Sequence, residues 1–269
     1  EGLAKMELGC STILYGGHTL EVALERIKAT GYKAIELCGI PGMAPHLNPG
    51  QDSGYYESIK SLVGSHGLVL ESIGASGNLG DQDRFLQIMD AAAAVGAPLI
   101  TTGGGGESDN EESFKTVIEH INSLAKEAAS RGVKLSIKPH VSNAVYNTET
   151  AYRFMQEIDR EWVGLNYDTT HIWRTPQQEV PEETIHRIRD YILSLRIRDV
   201  KGRQTAIGPV ENQVAGNGDM DLEAQATAFK QIPGLEYGVL EIVGTKEMTV
   251  EEVDSVVGRS YDYFKTLYP

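Results

Sequence analysis

The most constraining feature of this 269-residue chain is a repeat of about 30 residues, the length of one strand–helix–strand unit. Short aliphatic, β-branched runs recur near 6–14, 33–38, 68–72, 98–102, 133–138, 163–168, 192–198 and 237–242. Between them lie segments with helical spacing: 19–30, 55–65, 83–95, 111–130, 148–158, 181–190, 222–231 and 249–267. In the fourth, Phe114, Val117, Ile118, Ile121 and Leu124 fall on one face, and Gly132 follows as a stop. Eight alternating units without a linker predict one (β/α)8 TIM barrel, a single α/β domain over 1–269. A doubly wound open sheet is the competing arrangement, but even spacing of the crossovers favours closure.

Composition narrows the partners. Twenty-four Lys and Arg against 38 Asp and Glu leave a formal charge of −14, which argues against nucleic acid or an anionic membrane surface. No run nears the ~18 apolar residues of a membrane helix. Two cysteines, Cys10 and Cys38, cannot make a disulfide scaffold or a four-cysteine zinc site. The chain opens at Glu1, not Met, so a trimmed tag or export signal is expected. A soluble protein, cytoplasmic or exported, fits either origin.

In a barrel the chemistry sits where strands end. Five strands here end in charge: Ala34-Ile35-Glu36-Leu37, Ser136-Ile137-Lys138-Pro139-His140, Asn166-Tyr167-Asp168-Thr169-Thr170-His171, Leu195-Arg196-Ile197-Arg198-Asp199 and Val239-Leu240-Glu241. Side chains alternate along a strand, so aliphatics such as Leu135, Ile137 and Leu195 take the outer parity. Glu36, Lys138, Asp168, Arg196 and Glu241 then point into the barrel mouth. For any one of them a structural salt bridge is the simple explanation; for five at one level a site is favoured.

The chain resembles the xylose isomerase-like barrels, which include sugar phosphate isomerases and epimerases, ketose 3-epimerases, inosose isomerases and dehydratases, and endonuclease IV. The resemblance is carried by Gly31-Tyr32-Lys33-Ala34-Ile35-Glu36-Leu37, by Asp168-x-x-His171 and by Arg198-Asp199. The loop from Ala215 to Asp221 and the strand-eight Glu241 add to it. It implies a glutamate, an aspartate, a histidine and a glutamate ending strands five to eight. These four would hold one divalent ion, Mn, Mg, Zn or Co, with the glutamates moving a proton next to a carbonyl. Asp168, Glu241 and the accessory His171 match. Lys138 replaces the first glutamate and Arg196 the histidine. Neither cation offers a lone pair at neutral pH, and Lys138 and Arg196 balance Asp168 and Glu241. No cofactor is therefore expected. The residues left for a rearranged metal site are Asp168, His171, Glu241 and His140.

The resemblance implies a carbohydrate substrate, a homo-oligomer, and an isomerase or epimerase that removes a proton next to a carbonyl. Glu241 is then the base, Lys138 the opposing acid (its pKa lowered by a neighbouring cation), and the cations would stabilise the enediolate. Substrate contacts are expected from Asp168, His171, Arg196, His140, Trp173, Glu36 and His46. The alternatives are a keto-sugar lyase or dehydratase, a Schiff-base role for Lys138, and a degenerate barrel that binds sugar without turnover.

Overall fold

The computed structural model describes residues 5–269; residues 1–4, with the Glu1 start, lie outside the described part. The barrel strands are β1 (Glu7–Ser11), β2 (Ala34–Ile40), β3 (Val69–Gly74), β4 (Leu99–Gly103), β5 (Lys134–Lys138), β6 (Val163–Asp168), β7 (Ile192–Ile197) and β8 (Tyr237–Leu240). All eight run parallel, each paired with its sequence neighbours, and β1 pairs with both β2 and β8. The sheet is therefore closed, and the open doubly wound alternative is excluded. The two-residue strand Ala44–Pro45 adds an antiparallel hairpin at the mouth of β2.

The helices of five residues or more are α1 (Leu20–Thr30), α2 (Ser53–Ser65), α3 (Gln82–Val95), α4 (Glu111–Arg131), α5 (Thr148–Glu157), α6 (Thr169–Trp173), α7 (Leu222–Phe229) and α8 (Val250–Leu267). Each start is written in the sequence: Thr19, Asp52, Asp81, Asn110, Asn147, Asp221 and Thr249 cap the longer helices by accepting a backbone N–H of the first turn. Gly96 and Gly132 end α3 and α4 at φ 79° and 70°, a left-handed conformation costly for other residues. Two expected elements differ. The 181–190 helix is only Pro181–Thr184 followed by two 3-10 turns, and strand one stops at Ser11, whose hydroxyl caps a 3-10 turn over Thr12–Tyr15.

The outer parity packs on the helices, as Tyr167 does on Phe229 of α7, with ring centroids 5.8 Å apart. The inner parity is mostly polar. Ser136 and Ser194 share a 2.7 Å hydrogen bond, and Ser194 donates to Asn166 at 2.9 Å. Polar groups this deep are tolerated because they are paired. At β2–β3, Ile35 faces Leu70 but Glu36 faces Ser72, so Glu71 is an extra, bulged residue. Its carboxylate bonds to the guanidinium of Arg196 on β7.

Candidate active site

Two charge clusters fill the barrel. The inner one centres on Arg196, which is fully buried. Its guanidinium donates to Glu36 at 2.8 Å, to both oxygens of Glu71 at 2.9 and 3.0 Å, and to Ser72 at 3.0 Å. Glu36 also accepts from Ser11 at 2.7 Å and Thr101 at 2.6 Å. Burial alone would push the Glu36 carboxyl up, but Arg196 and these hydroxyls together bring it down to about 2. Arg196 therefore does not balance Asp168 and Glu241.

Arg198, two residues on and of the same parity, takes that place. It lies 3.1 Å from Asp168 and 3.9 Å from Glu241. Lys138 Nζ sits between the same carboxylates, 3.1 Å from Asp168 and 2.8 Å from Glu241. The outer cluster is thus Lys138 and Arg198 against Asp168 and Glu241. Asp168 is fixed further by Thr170, whose N–H and hydroxyl donate to Oδ1 at 3.0 and 2.8 Å. Desolvation opposes the Asp168 carboxylate, but Arg198 and Lys138 outweigh it and hold it well below the usual range. Burial likewise opposes the Lys138 ammonium, and the attraction of Glu241 and Asp168 overrides it, raising its pKa. The expected lowering by a cation neighbour is therefore reversed, because the two carboxylates prevail over Arg198. Bonded to both carboxylates, the Lys138 ammonium offers no lone pair in this arrangement, which favours a donor role over the Schiff-base alternative.

Above the cluster, His140 and His171 lie with ring centroids 4.0 Å apart. The backbone of Val141 fixes both: its N–H donates to His171 Nδ1 at 3.1 Å, and its carbonyl lies 2.8 Å from His140 Nδ1. A carbonyl only accepts, so His140 carries its proton on Nδ1 and leaves Nε2 with a lone pair. His171, accepting on Nδ1, carries its proton on Nε2. Burial lowers the pKa of both rings and keeps them neutral.

These groups line a cavity of about 320 Å3, walled by Glu36, Lys138, His140, His171, Arg174, Arg198 and Glu241, with Ile13, Ile40, Met43 and Val243 on its apolar side. Of the residues expected there, Asp168 lies behind Lys138 and Arg198, and Arg196 lies in the inner cluster. Two others are elsewhere. Trp173 donates its indole N–H to Gly202 at 3.0 Å and is covered by Arg203, 3.5 Å above the ring. His46 bonds to the His18 carbonyl at 2.9 Å and lines a separate pocket with Gly16, Gly17 and Pro45. Arg174, Arg198 and Glu71 are the charged groups that the strand-end reading left out of the site. Glu71 stands in the middle of β3, and only the register slip there turns it inward. Arg198 shares the parity of Arg196.

A divalent ion does not suit this donor set. Asp168 and Glu241 are both bonded to an ammonium, the nearest further charge is a guanidinium, and His171 spends its lone pair on a backbone N–H, so of the two imidazoles only His140 keeps an uncommitted lone pair, at Nε2. No group of three His, Cys, Asp or Glu side chains is arranged to hold a metal among the described residues.

Charged groups converging at the strand ends of a closed parallel barrel, beneath a walled cavity, are the arrangement of a barrel enzyme's active site. The chain belongs to the xylose isomerase-like TIM barrel family, whose sequence profile matches residues 24–255. It is 22% identical over 236 residues to an inosose dehydratase of Glaesserella parasuis, covering 86% of this chain and 67% of that protein. It is 28% identical over 170 residues to an inosose dehydratase of Klebsiella pneumoniae, covering 56% and 54%. Against several curated relatives the match spans only about half of their length. Among solved structures, the IOLI protein with a binding zinc atom superposes with a TM-score of 0.77 at 18% identity, over 98% of this chain and 99% of that one. The D-psicose 3-epimerase of Clostridium cellulolyticum H10, solved with D-tagatose, also gives 0.77, at 13% identity over 98% and 99%.

Proposed function

We propose that this chain is an acid–base enzyme acting at the carbon next to the carbonyl of a keto-sugar or cyclic keto-polyol, with side-chain cations in place of the family's metal ion. The observation that carries the reading is the position of Lys138 Nζ, 2.8 Å from Glu241 and 3.1 Å from Asp168. Glu241 is the base: it lines the cavity, and Oε2 is bonded to Lys138 while no described residue donates to Oε1. Taking the proton leaves negative charge on the substrate's carbonyl oxygen. Lys138 and Arg198 supply fixed donors for that charge without the reorganisation that water would need. The neutral His140 and His171 pair presents one acceptor and one donor nitrogen, the complement of a substrate hydroxyl.

Return of the proton from Glu241 to the neighbouring carbon gives isomerisation; delivery of a proton from Lys138 to the opposite face of the same carbon gives epimerisation. A second reading is dehydration, favoured by the naming of the sequence relatives and by the His171 Nε2–H in the cavity wall. There the same deprotonation is followed by breaking the adjacent C–O bond. The departing hydroxyl takes the proton that Glu241 removed, which returns Glu241 to its carboxylate form, and leaves as water. Ketoses and keto-inositols incubated in heavy water separate the two: deuterium uptake and a new epimer mark the first, an enone absorbance the second. Glu241→Gln is expected to lower either rate by about 10²–10⁴-fold. Full turnover in that variant defeats the assignment, and saturable binding without turnover would indicate a degenerate barrel. About one tightly held divalent ion per chain after purification without chelator would defeat the metal-free part.

A further inference from the structure

One basic side chain in the cavity has no role in that chemistry. Arg174 follows α6 and is only 5% exposed. Its Nε donates to the Thr170 carbonyl at 3.0 Å and its Nη1 to the Thr205 carbonyl, while Nη2 has no partner among the described residues. Three described arginines are buried, and two of them, Arg196 and Arg198, have carboxylates within 4 Å. Arg174 has none. Burial, and then the nearby charge of Arg198, bring its pKa down to about 10, against a weaker pull from Asp168. It remains a cation at neutral pH, largely buried in the cavity wall and with no carboxylate within 4 Å, which is a costly condition in a protein interior.

The surroundings repeat the pattern. Arg174 divides the catalytic cavity from an adjoining one of about 530 Å3, lined also by Ser142, Tyr146, Thr175, Arg203 and Thr205. Arg203 is held by the carbonyls of Trp173 and Glu179 at 2.7 and 2.8 Å and by the Trp173 ring, again with no carboxylate within 4 Å. Thr175 Oγ1 is buried without a hydrogen-bond partner. Glu107 is the one acidic side chain on that second wall, and it bonds instead to Asn110. Carbonyl acceptors thus orient two guanidinium groups on the wall of the second cavity, Arg174 at its junction with the first, and no carboxylate lies within 4 Å of either.

We infer that Arg174, assisted by Arg203, binds an anionic substituent of the substrate, a carboxylate or a phosphate ester, at the junction of the two cavities. This rests on the reading of the first cavity as the substrate site. It makes the substrate a keto-sugar acid or sugar phosphate rather than a neutral polyol. A guanidinium already fixed by its other nitrogens loses little freedom on accepting the anion, so the charge-assisted bond contributes mainly to discrimination.

Calorimetric titration tests this with D-glucuronate, D-fructose 6-phosphate, neutral D-fructose, myo-inositol and inorganic phosphate, on the full chain and on Arg174→Met and Arg203→Met. One anionic sugar is expected to bind about 30-fold or more tightly than its neutral counterparts, a ratio typical of one good charge-assisted contact. Which one does so distinguishes carboxylate from phosphate. Arg174→Met should abolish that preference while neutral-sugar affinity stays within about threefold; Arg203→Met, on an outer loop, should reduce it in part. Equal binding of charged and neutral sugars, or equal weakening of both in Arg174→Met, overturns the inference alone. Phosphate bound through Arg174 with no sugar bound supports the anion site and overturns the proposed function. Binding of none of the probes overturns both.

Discussion

Replacing Lys138 by Met removes the cation on which the outer cluster closes, and the structure sets the size of the effect. At 2.8 and 3.1 Å, with an effective dielectric of about 20, each contact is worth roughly 5–6 kcal/mol of attraction. Dehydrating the ammonium costs several kcal/mol, which offsets much of that sum. Breaking a buried pair from one side typically costs about 3–5 kcal/mol. Arg198 remains 3.1 Å from Asp168, so the lower end applies, about 3 kcal/mol. With a urea slope of about 3 kcal/mol/M for a chain of this size, the midpoint at pH 7.5 should fall by about 1 M. The loss should also depend on pH. Asp168 is held well below its ordinary range, so it contributes stability above its unfolded pKa that disappears as the pH falls through the folded value. Without Lys138 its folded pKa rises toward the unfolded value, so the two proteins should converge only as the pH falls below about 4. An unchanged or raised midpoint at pH 7.5, or a gap that widens in acid, would refute the ammonium as the keystone of this site.

Arg196→Met should be more damaging, because Glu36 and Glu71 lose their shared partner in the barrel interior; a melting point lower on the order of 10 °C is expected, and the triple variant with Glu36→Gln and Glu71→Gln should recover most of it. Glu36, brought down to about 2, should keep its stabilising charge through mildly acidic pH and lose it only as the pH falls from about 4 toward 2, a limb of the acid-unfolding curve that Glu36→Gln should flatten. Nitrogen-resolved NMR of the two cavity imidazoles should show His140 protonated at Nδ1 and His171 at Nε2 at pH 7; a doubly protonated ring would contradict the Val141 arrangement.

The barrel was legible because its information is local. Period-two runs, capping residues such as Asn110 and Asn147, and stops at Gly96 and Gly132 each act within a few residues. The charged strand ends were legible for the same reason: parity alone puts Glu36, Lys138, Asp168, Arg196 and Glu241 inward. Their partners were not. A guanidinium reaches far enough to cross the barrel, so Arg196 answers Glu36 and Glu71 while Arg198 answers Asp168, a choice that alternation cannot make. Glu71 turns inward through a one-residue slip in register, which no periodicity reports. Trp173 looked like a sugar platform by its nearness to His171, yet Arg203 on a distant loop covers its ring. Arg174 gives no sign in sequence, since its interest lies in a missing neighbour.

The two ion clusters also bear on how such a protein could change over time. Exchanging Lys138 alone for a glutamate would set three carboxylates around a single guanidinium, and exchanging Arg196 alone for a histidine would strand two glutamates in a dry interior. Each single exchange toward the ligand set that the family resemblance implies leaves buried carboxylates unpaired, a cost of about 3–5 kcal/mol, so the present arrangement works as a ratchet. A lineage that acquired it would find redesign of its substrate-contacting loops more accessible than return.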